Sequence, residues 1–159
     1  MKILVFSDSH GRTSLMESIT KQYEAEIDAI CFLGDVMRDY VKLREGFPHI
    51  TTHAVPGNCD PSSKKERVQM VEIGGAKILL THGHLHGVKR GYDTITAFAN
   101  GLGADACFFG HSHVPVTFER DGVVFLNPGS ITEPRGSMGK SFAVVTIEKG
   151  VITPEIIEA

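Results

Sequence analysis

Five short apolar runs in this chain stop abruptly at residues able to hold a metal ion. Ile3-Leu4-Val5-Phe6 runs into Ser7-Asp8-Ser9-His10, and Ala29-Ile30-Cys31-Phe32-Leu33 into Gly34-Asp35. His53-Ala54-Val55-Pro56 runs into Gly57-Asn58-Cys59-Asp60, and Ile78-Leu79-Leu80-Thr81 into His82-Gly83-His84. Ala106-Cys107-Phe108-Phe109 runs into Gly110-His111-Ser112-His113. Unbroken apolar runs of this length read as strands buried on both faces. In open α/β sheets, ligands bind beyond the carboxyl ends of the strands. One fold can therefore gather all five tips into a single cluster of carboxylate, amide and imidazole groups.

The segments between the tips alternate in character. Strands are expected over 2–6, 29–33, 52–55, 68–73, 77–80 and 106–109. A helix follows the first strand, with Ser14-x-x-Glu17 as a capping box and Leu15, Ile19, Tyr23 and Ile27 at helical spacing. A short helix is expected over 39–45 and a longer one over 88–103, ended by Gly101 and Gly103. The C-terminal part reads as two hairpins, 116–120 with 123–126 around Asp121-Gly122, and 142–148 with 151–157 around Lys149-Gly150. Strand–helix alternation followed by hairpins predicts an α/β (α+β) chain of two mixed sheets packed together, with helices outside.

At 159 residues the chain is expected to form a single domain, 1–159, large enough to sustain a core without cross-links. Its apolar runs fall far short of the ~20 residues of a membrane span, and no signal-peptide pattern opens the chain. Three cysteines at irregular spacing give no disulfide framework, and Cys31 and Cys107 lie in apolar runs. A reducing, cytoplasmic setting is expected. The net charge of −3, with basic residues only in isolated pairs such as Lys64-Lys65 and Lys89-Arg90, supplies no stripe for nucleic-acid backbones.

Each tip taken alone has an ordinary explanation. Gly-Asp is a common turn pair, and an Asn after Gly tolerates a positive φ. His82-x-His84 and His111-x-His113 are harder to explain as packing. With Asp60 and His84 set aside, the tips together carry two Asp, one Asn and four His. A single tetrahedral zinc does not need so many ligands, whereas two ions sharing a bridging carboxylate do. Two-ion sites clamp both sides of an in-line displacement at phosphorus. Mixed oxygen and imidazole donors suit Mn, Fe, Co, Ni or Zn better than Mg or Ca.

Asp8-Ser9-His10, Gly34-Asp35, Gly57-Asn58-Cys59-Asp60, His82-Gly83-His84 and Gly110-His111-Ser112-His113 resemble, in order, the motifs of the calcineurin-like metallophosphoesterases. The likeness extends over 1–130. The compact length and Asn127-Pro128-Gly129-Ser130 look like the small bacterial and archaeal phosphodiesterase subgroup. The resemblance implies two mixed sheets sandwiched between helices and two divalent ions, foremost Mn. It implies that Asp8, His10 and His113 hold one ion, that Asn58, His82 and His111 hold the other, and that Asp35 bridges them. The implied reaction is hydrolysis of a phosphate ester by in-line attack of a hydroxide formed between the ions, with a phosphodiester as substrate. A phosphomonoesterase on the same site and a protein-interaction scaffold, as in the retromer subunit of this fold, are the alternatives. A complete ligand set favours the enzyme.

The chain departs from much of that superfamily at Cys59, where a histidine is usual. A thiol is a poorer acid than an imidazolium at neutral pH, so protonation of the leaving group is expected to be weak. His84 is the nearest replacement, placed two residues along a strand from His82. Ser130 and Arg135 are expected substrate contacts, Arg135 through a bidentate hold on phosphate. Arg12 is a further candidate, and Asp60 could orient a ligand histidine. His53 reads as structural, and His49 and His86 as surface histidines. The expected partner is a small phosphate ester. The last hairpin leaves a sheet edge open to self-association.

Overall fold

The computed structural model describes residues Met1–Ala159. The elements run β1 (Lys2–Phe6), α1 (Thr13–Tyr23), β2 (Ala29–Phe32), α2 (Met37–Gly46), β3 (Thr51–Ala54), β4 (Val68–Ile73) and β5 (Ala76–Thr81). A single 3-10 turn (His84–His86) then leads to α3 (Asp93–Gly101), β6 (Ala106–Phe108), β7 (Val116–Arg120), β8 (Val123–Asn127), β9 (Ser141–Glu148) and β10 (Val151–Glu158). Two mixed five-stranded sheets result, ordered β10-β9-β1-β2-β3 and β4-β5-β6-β8-β7. In the first, β1, β2 and β3 are parallel, β9 runs antiparallel to β1, and β10 runs antiparallel to β9. In the second, β5, β6 and β8 are parallel, flanked by antiparallel β4 and β7.

Side chains alternate across a strand, and here both faces are covered. Ile3, Val5, Cys31 and Leu33 point between the sheets and meet Ile78, Leu80, Phe108 and Leu126 in one core. Their neighbours Leu4, Phe6, Ile30 and Phe32 point outward onto Met16, Ile19, Tyr40 and Leu43 of α1 and α2. On the second sheet Leu79, Cys107 and Phe125 pack under Ile95 and Ala99 of α3. Burial on two sides is why these strands read as continuous apolar runs. It also pushes the Cys31 thiol up to about 12. No helix is long and apolar enough to cross a membrane.

The architecture matches the expected one, with local corrections. The Ser14-Glu17 capping box does not form. The helix begins at Thr13 behind Arg12, with no side-chain cap, so Ser14 falls inside the helix rather than at its N-cap. The third helix starts at Asp93 rather than at 88. The 3-10 turn and Gly91, at φ 151°, break the helical path there. Val88 is nevertheless buried in the core under α3. Asp121 and Gly122 both have positive φ, the geometry of a tight two-residue hairpin turn. β10 is an edge strand, as expected. It carries Pro154, a residue tolerated at sheet edges because it donates no hydrogen bond.

Candidate metal centre

The carboxyl ends of β1, β2, β3, β5 and β6 converge, and the backbone ties their loops together. Asp8 N–H donates to Gly34 O at 3.0 Å, and Gly110 N–H to His82 O at 3.0 Å. Asp8, His10, Asp35, His111 and His113 all adopt φ between 43° and 68°. Left-handed backbone is uncommon outside glycine, although Asp and His tolerate it best. Five such residues in one cluster are backbone strain concentrated at a site.

The side chains are aimed by their partners. The two oxygens of buried Asp8 differ in use. Oδ2 accepts from the Ser7 hydroxyl at 2.5 Å and from His111 N–H at 3.1 Å. Oδ1 is buried without any hydrogen-bond partner. His113 Nε2 lies 3.0 Å from it and His82 Nε2 3.8 Å. His82 donates its Nδ1–H to Leu33 O at 2.6 Å, and His113 donates its own to Glu133 O at 2.7 Å. That arrangement leaves each Nε2 lone pair facing the cluster. His10 Nε2 approaches His113 Nε2 to 3.4 Å.

Asp35 lies between the groups expected to hold the two ions. Its carboxylate and that of Asp8 cluster with His82, while on the other side it clusters with His10 and Cys59. Oδ1 accepts from Cys59 N–H at 2.9 Å, and Oδ2 faces His82 Nε2 at 3.4 Å. Gly57 presses against this carboxylate so closely that a Cβ there would overlap it. Asn58 Oδ1 lies 3.2 Å from His82 Nε2. His111 joins through its ring, 5.1 Å from that of His82.

Charge follows from this packing. Burial opposes ionisation of both Asp35 and His82, but each stabilises the other's charged form. The Asp35 carboxyl is held well below the usual range and the His82 imidazole above it. His113 is raised chiefly by Asp8. His111 is pushed down to about 4, first by burial and then by positive neighbours including His82 and Lys89. Buried carboxylates thus draw protons onto the imidazoles beside them, and cations would replace those protons. A bare buried carboxylate oxygen, two imidazoles with fixed tautomers and a neutral third imidazole fit divalent ions well.

The remaining expected residues fall differently. Cys59 is exposed beside Asp35, and its thiol is pushed up to about 11 by burial and then by Asp35. His84 is not on a strand, because Gly83, at φ 97°, turns the chain into the 3-10 turn. Its ring still lies 5.3 Å from that of His82 and 6.0 Å from that of His111. Ser130 is fully buried behind the ligand loop rather than facing a substrate. Its hydroxyl donates to Asp8 O at 2.8 Å and accepts from the Thr132 and Glu133 N–H groups. Arg135 is exposed, with its own N–H donated to His113 O. Arg12 is exposed at the start of α1. Asp60 orients no histidine. It accepts from the Asp35, Met37 and Gly57 N–H groups and so clamps two ligand loops together. His49 is at the surface, pairing with Glu24, but His86 is buried against Phe98.

Further residues brace the ligand loops without any local mark in the sequence. Asn127 holds Gly110 O and the Ser112 hydroxyl at 2.9 Å each, and Thr132 donates to the carbonyls of Asp8 and Ser9. Arg67 donates to Gly57 O at 3.0 Å. The Asn127-Pro128-Gly129-Ser130 run was the available signal for the first of these.

Paired mixed sheets with Asp, Asn and His at converging strand tips define a metallophosphoesterase-like fold. Residues 1–150 match the calcineurin-like phosphoesterase superfamily domain, and the chain belongs to that family. It is 38% identical over 154 residues to the probable metallophosphoesterase YsnB of Bacillus subtilis, covering 96% of this chain and 88% of that one. Phosphodiesterase YfcE of Escherichia coli K12 is 27% identical over 167 residues, covering 91% and 87%. A crystal structure from Streptococcus pneumoniae TIGR4, of a protein described as a predicted phosphoesterase, superposes with a TM-score of 0.86 at 32% identity. It covers 99% of this chain and 88% of that one.

Proposed function

We propose that the protein is a two-metal phosphodiesterase acting on a small phosphate ester. In this reading Asp8, His10 and His113 would hold the first ion, Asn58, His82 and His111 would hold the second, and Asp35 would serve both. The observation that carries it is the bare, buried Oδ1 of Asp8 facing three imidazole nitrogens and the Asp35 carboxylate. Such an oxygen is costly unless a protonated imidazole such as His113, 3.0 Å away, or a metal ion replacing that proton completes its environment. Two divalent ions, Mn foremost, would supply Lewis acidity there, lowering the pKa of water and neutralising charge on phosphate.

The chain's own residues do the rest. Cys59 keeps its proton at neutral pH and borders a cleft of about 350 Å³ lined also by Met37, Asp60, Pro61, Ser62 and Ser63. The cleft offers space for an ester substituent and no basic group to it. Its dimensions suit a small molecule, and the paired ions would suit a phosphoryl group. Exposed Arg135 is free to contact an outer phosphate oxygen. The preference for a diester rests on likeness to YfcE and on Cys59, a weak proton donor that favours good leaving groups. The complete ligand set speaks for an enzyme over a scaffold.

Metal-stripped protein should hydrolyse neither an aryl phosphodiester nor its monoester. Adding Mn should restore turnover of the diester above that of the monoester. Activity indifferent to metal would defeat the proposal, and a preference for the monoester would move it to the phosphomonoesterase.

A further inference from the structure

We propose that Arg67 binds a phosphate oxygen of the substrate beside the second ion's position. This rests on the two-ion reading above. Arg67 lies just before β4, and the strand fixes where it points. The antiparallel register pairs Val68 with Thr81, so one step further sets Arg67 opposite His82. Side chains alternate along a strand. Val68 packs under α3, whereas Val71 and Ile73 pack in the core between the sheets. Arg67 continues the Val71–Ile73 row and stands at the end of that core where the ligand tips gather.

Two further observations place its charge there. Arg67 Nη1 donates at 3.0 Å to Gly57 O, the carbonyl of the peptide that leads into Asn58. The guanidinium therefore lies between the segments that carry Asn58 and His82. The field of that group also reaches the site. His84 is lowered first by burial and then by the charges of His82 and Arg67.

The protein uses little of this group. A guanidinium carries five N–H donors; Arg67 makes one side-chain hydrogen bond and belongs to none of the chain's ion pairs. The residue is half-buried. A cation partly withdrawn from water without an acidic partner is a cost to the fold, and a neutral donor would satisfy Gly57 O as well. The remaining donors form a planar fork that matches two oxygens of a phosphate. Anchoring one nitrogen on Gly57 O holds the fork in place before phosphate arrives, which reduces the ordering cost of binding. A phosphoryl group resting on the second ion would present its outer oxygens on the side of Asn58 and His82, where the fork stands.

Calorimetric titration of metal-stripped full-length protein with Mn, followed by inorganic phosphate, tests this. Wild type should take up two ions and then bind phosphate. Arg67→Gln should take up both ions with wild-type affinity and bind phosphate about tenfold more weakly. Arg67→Lys, which keeps the charge without the fork, should fall between the two. Wild-type phosphate affinity in loaded Arg67→Gln overturns the proposal. Weakened Mn uptake in that variant also overturns it, because Arg67 would then be only a brace for the Asn58 loop. Should the Gln variant fail to fold, Arg67→Lys must itself bind phosphate more weakly at full Mn uptake. A wild type that binds two ions but no phosphate overturns this proposal alone, and one that binds no ion overturns the two-ion reading with it.

Discussion

Asp35→Asn is the most informative single substitution. The side chain is nearly isosteric, and an amide oxygen can still accept the Cys59 N–H now bonded to Oδ1. The change falls at Oδ2, which faces His82. There an NH₂ group carries no charge and no available lone pair, so it cannot join two cations. A ligand that binds only the folded state at one hundred times its Kd stabilises that state by ~2.7 kcal/mol, so two ions give ~5 kcal/mol. In a chain of this length each kcal/mol moves Tm by ~2–4 °C, so saturating Mn should raise the wild-type Tm by ~10–20 °C. In the variant most of that rise should vanish, because both ions lose the same bridge. The metal-free variant should itself melt somewhat lower, since buried His82 loses a charged partner. The diagnostic quantity is therefore the metal-induced shift from each protein's own baseline, read by scanning calorimetry. An undiminished shift in Asp35→Asn would refute the bridge.

Three further substitutions separate scaffold from chemistry. Asp60→Ala removes the acceptor of three backbone N–H groups. It should cost at least ~3 kcal/mol, about 6–12 °C, and weaken metal uptake as the two loops separate; thermal melts with and without Mn check both effects. Ser130→Ala should lower stability by ~1–3 kcal/mol through lost bonds to Asp8 and the following loop. KM should stay within about twofold of wild type, since the hydroxyl faces protein; a large rise in KM at unchanged stability would restore Ser130 as a substrate contact. Cys59→Ala should reduce kcat on diesters by less than about tenfold, well short of the ~10²–10⁴ that a general acid contributes. Rates across leaving groups of graded acidity check this. A selective hundredfold loss with poor leaving groups would make Cys59 the acid.

Much of this architecture was legible because burial on two faces writes itself into sequence. Ile3 to Phe6 and Ala106 to Phe108 are apolar at every position since each alternate residue meets a different core. The tips were legible for the opposite reason, as strained polar residues directly after such runs have no packing rationale. What stayed hidden depends on approach between distant segments. Nothing local marks Ser130, 122 residues from Asp8, as the support of its carbonyl, or Asp60 as the clamp between two loops. Glu133 reads as an ordinary loop acid until its carbonyl is seen to aim His113. The late start of α3 reflects glycine conformations at Gly87 and Gly91 that outweigh weak local helix propensity.

On the reading proposed above, seven side chains at five strand tips form one two-ion site. Anomalous diffraction from crystals soaked in Mn tests it without reference to any substrate. Two peaks ~3.5–4 Å apart are expected, one among Asp8, His10 and His113, the other among Asn58, His82 and His111, with Asp35 touching both. A single peak, or none at saturating metal, would contradict it.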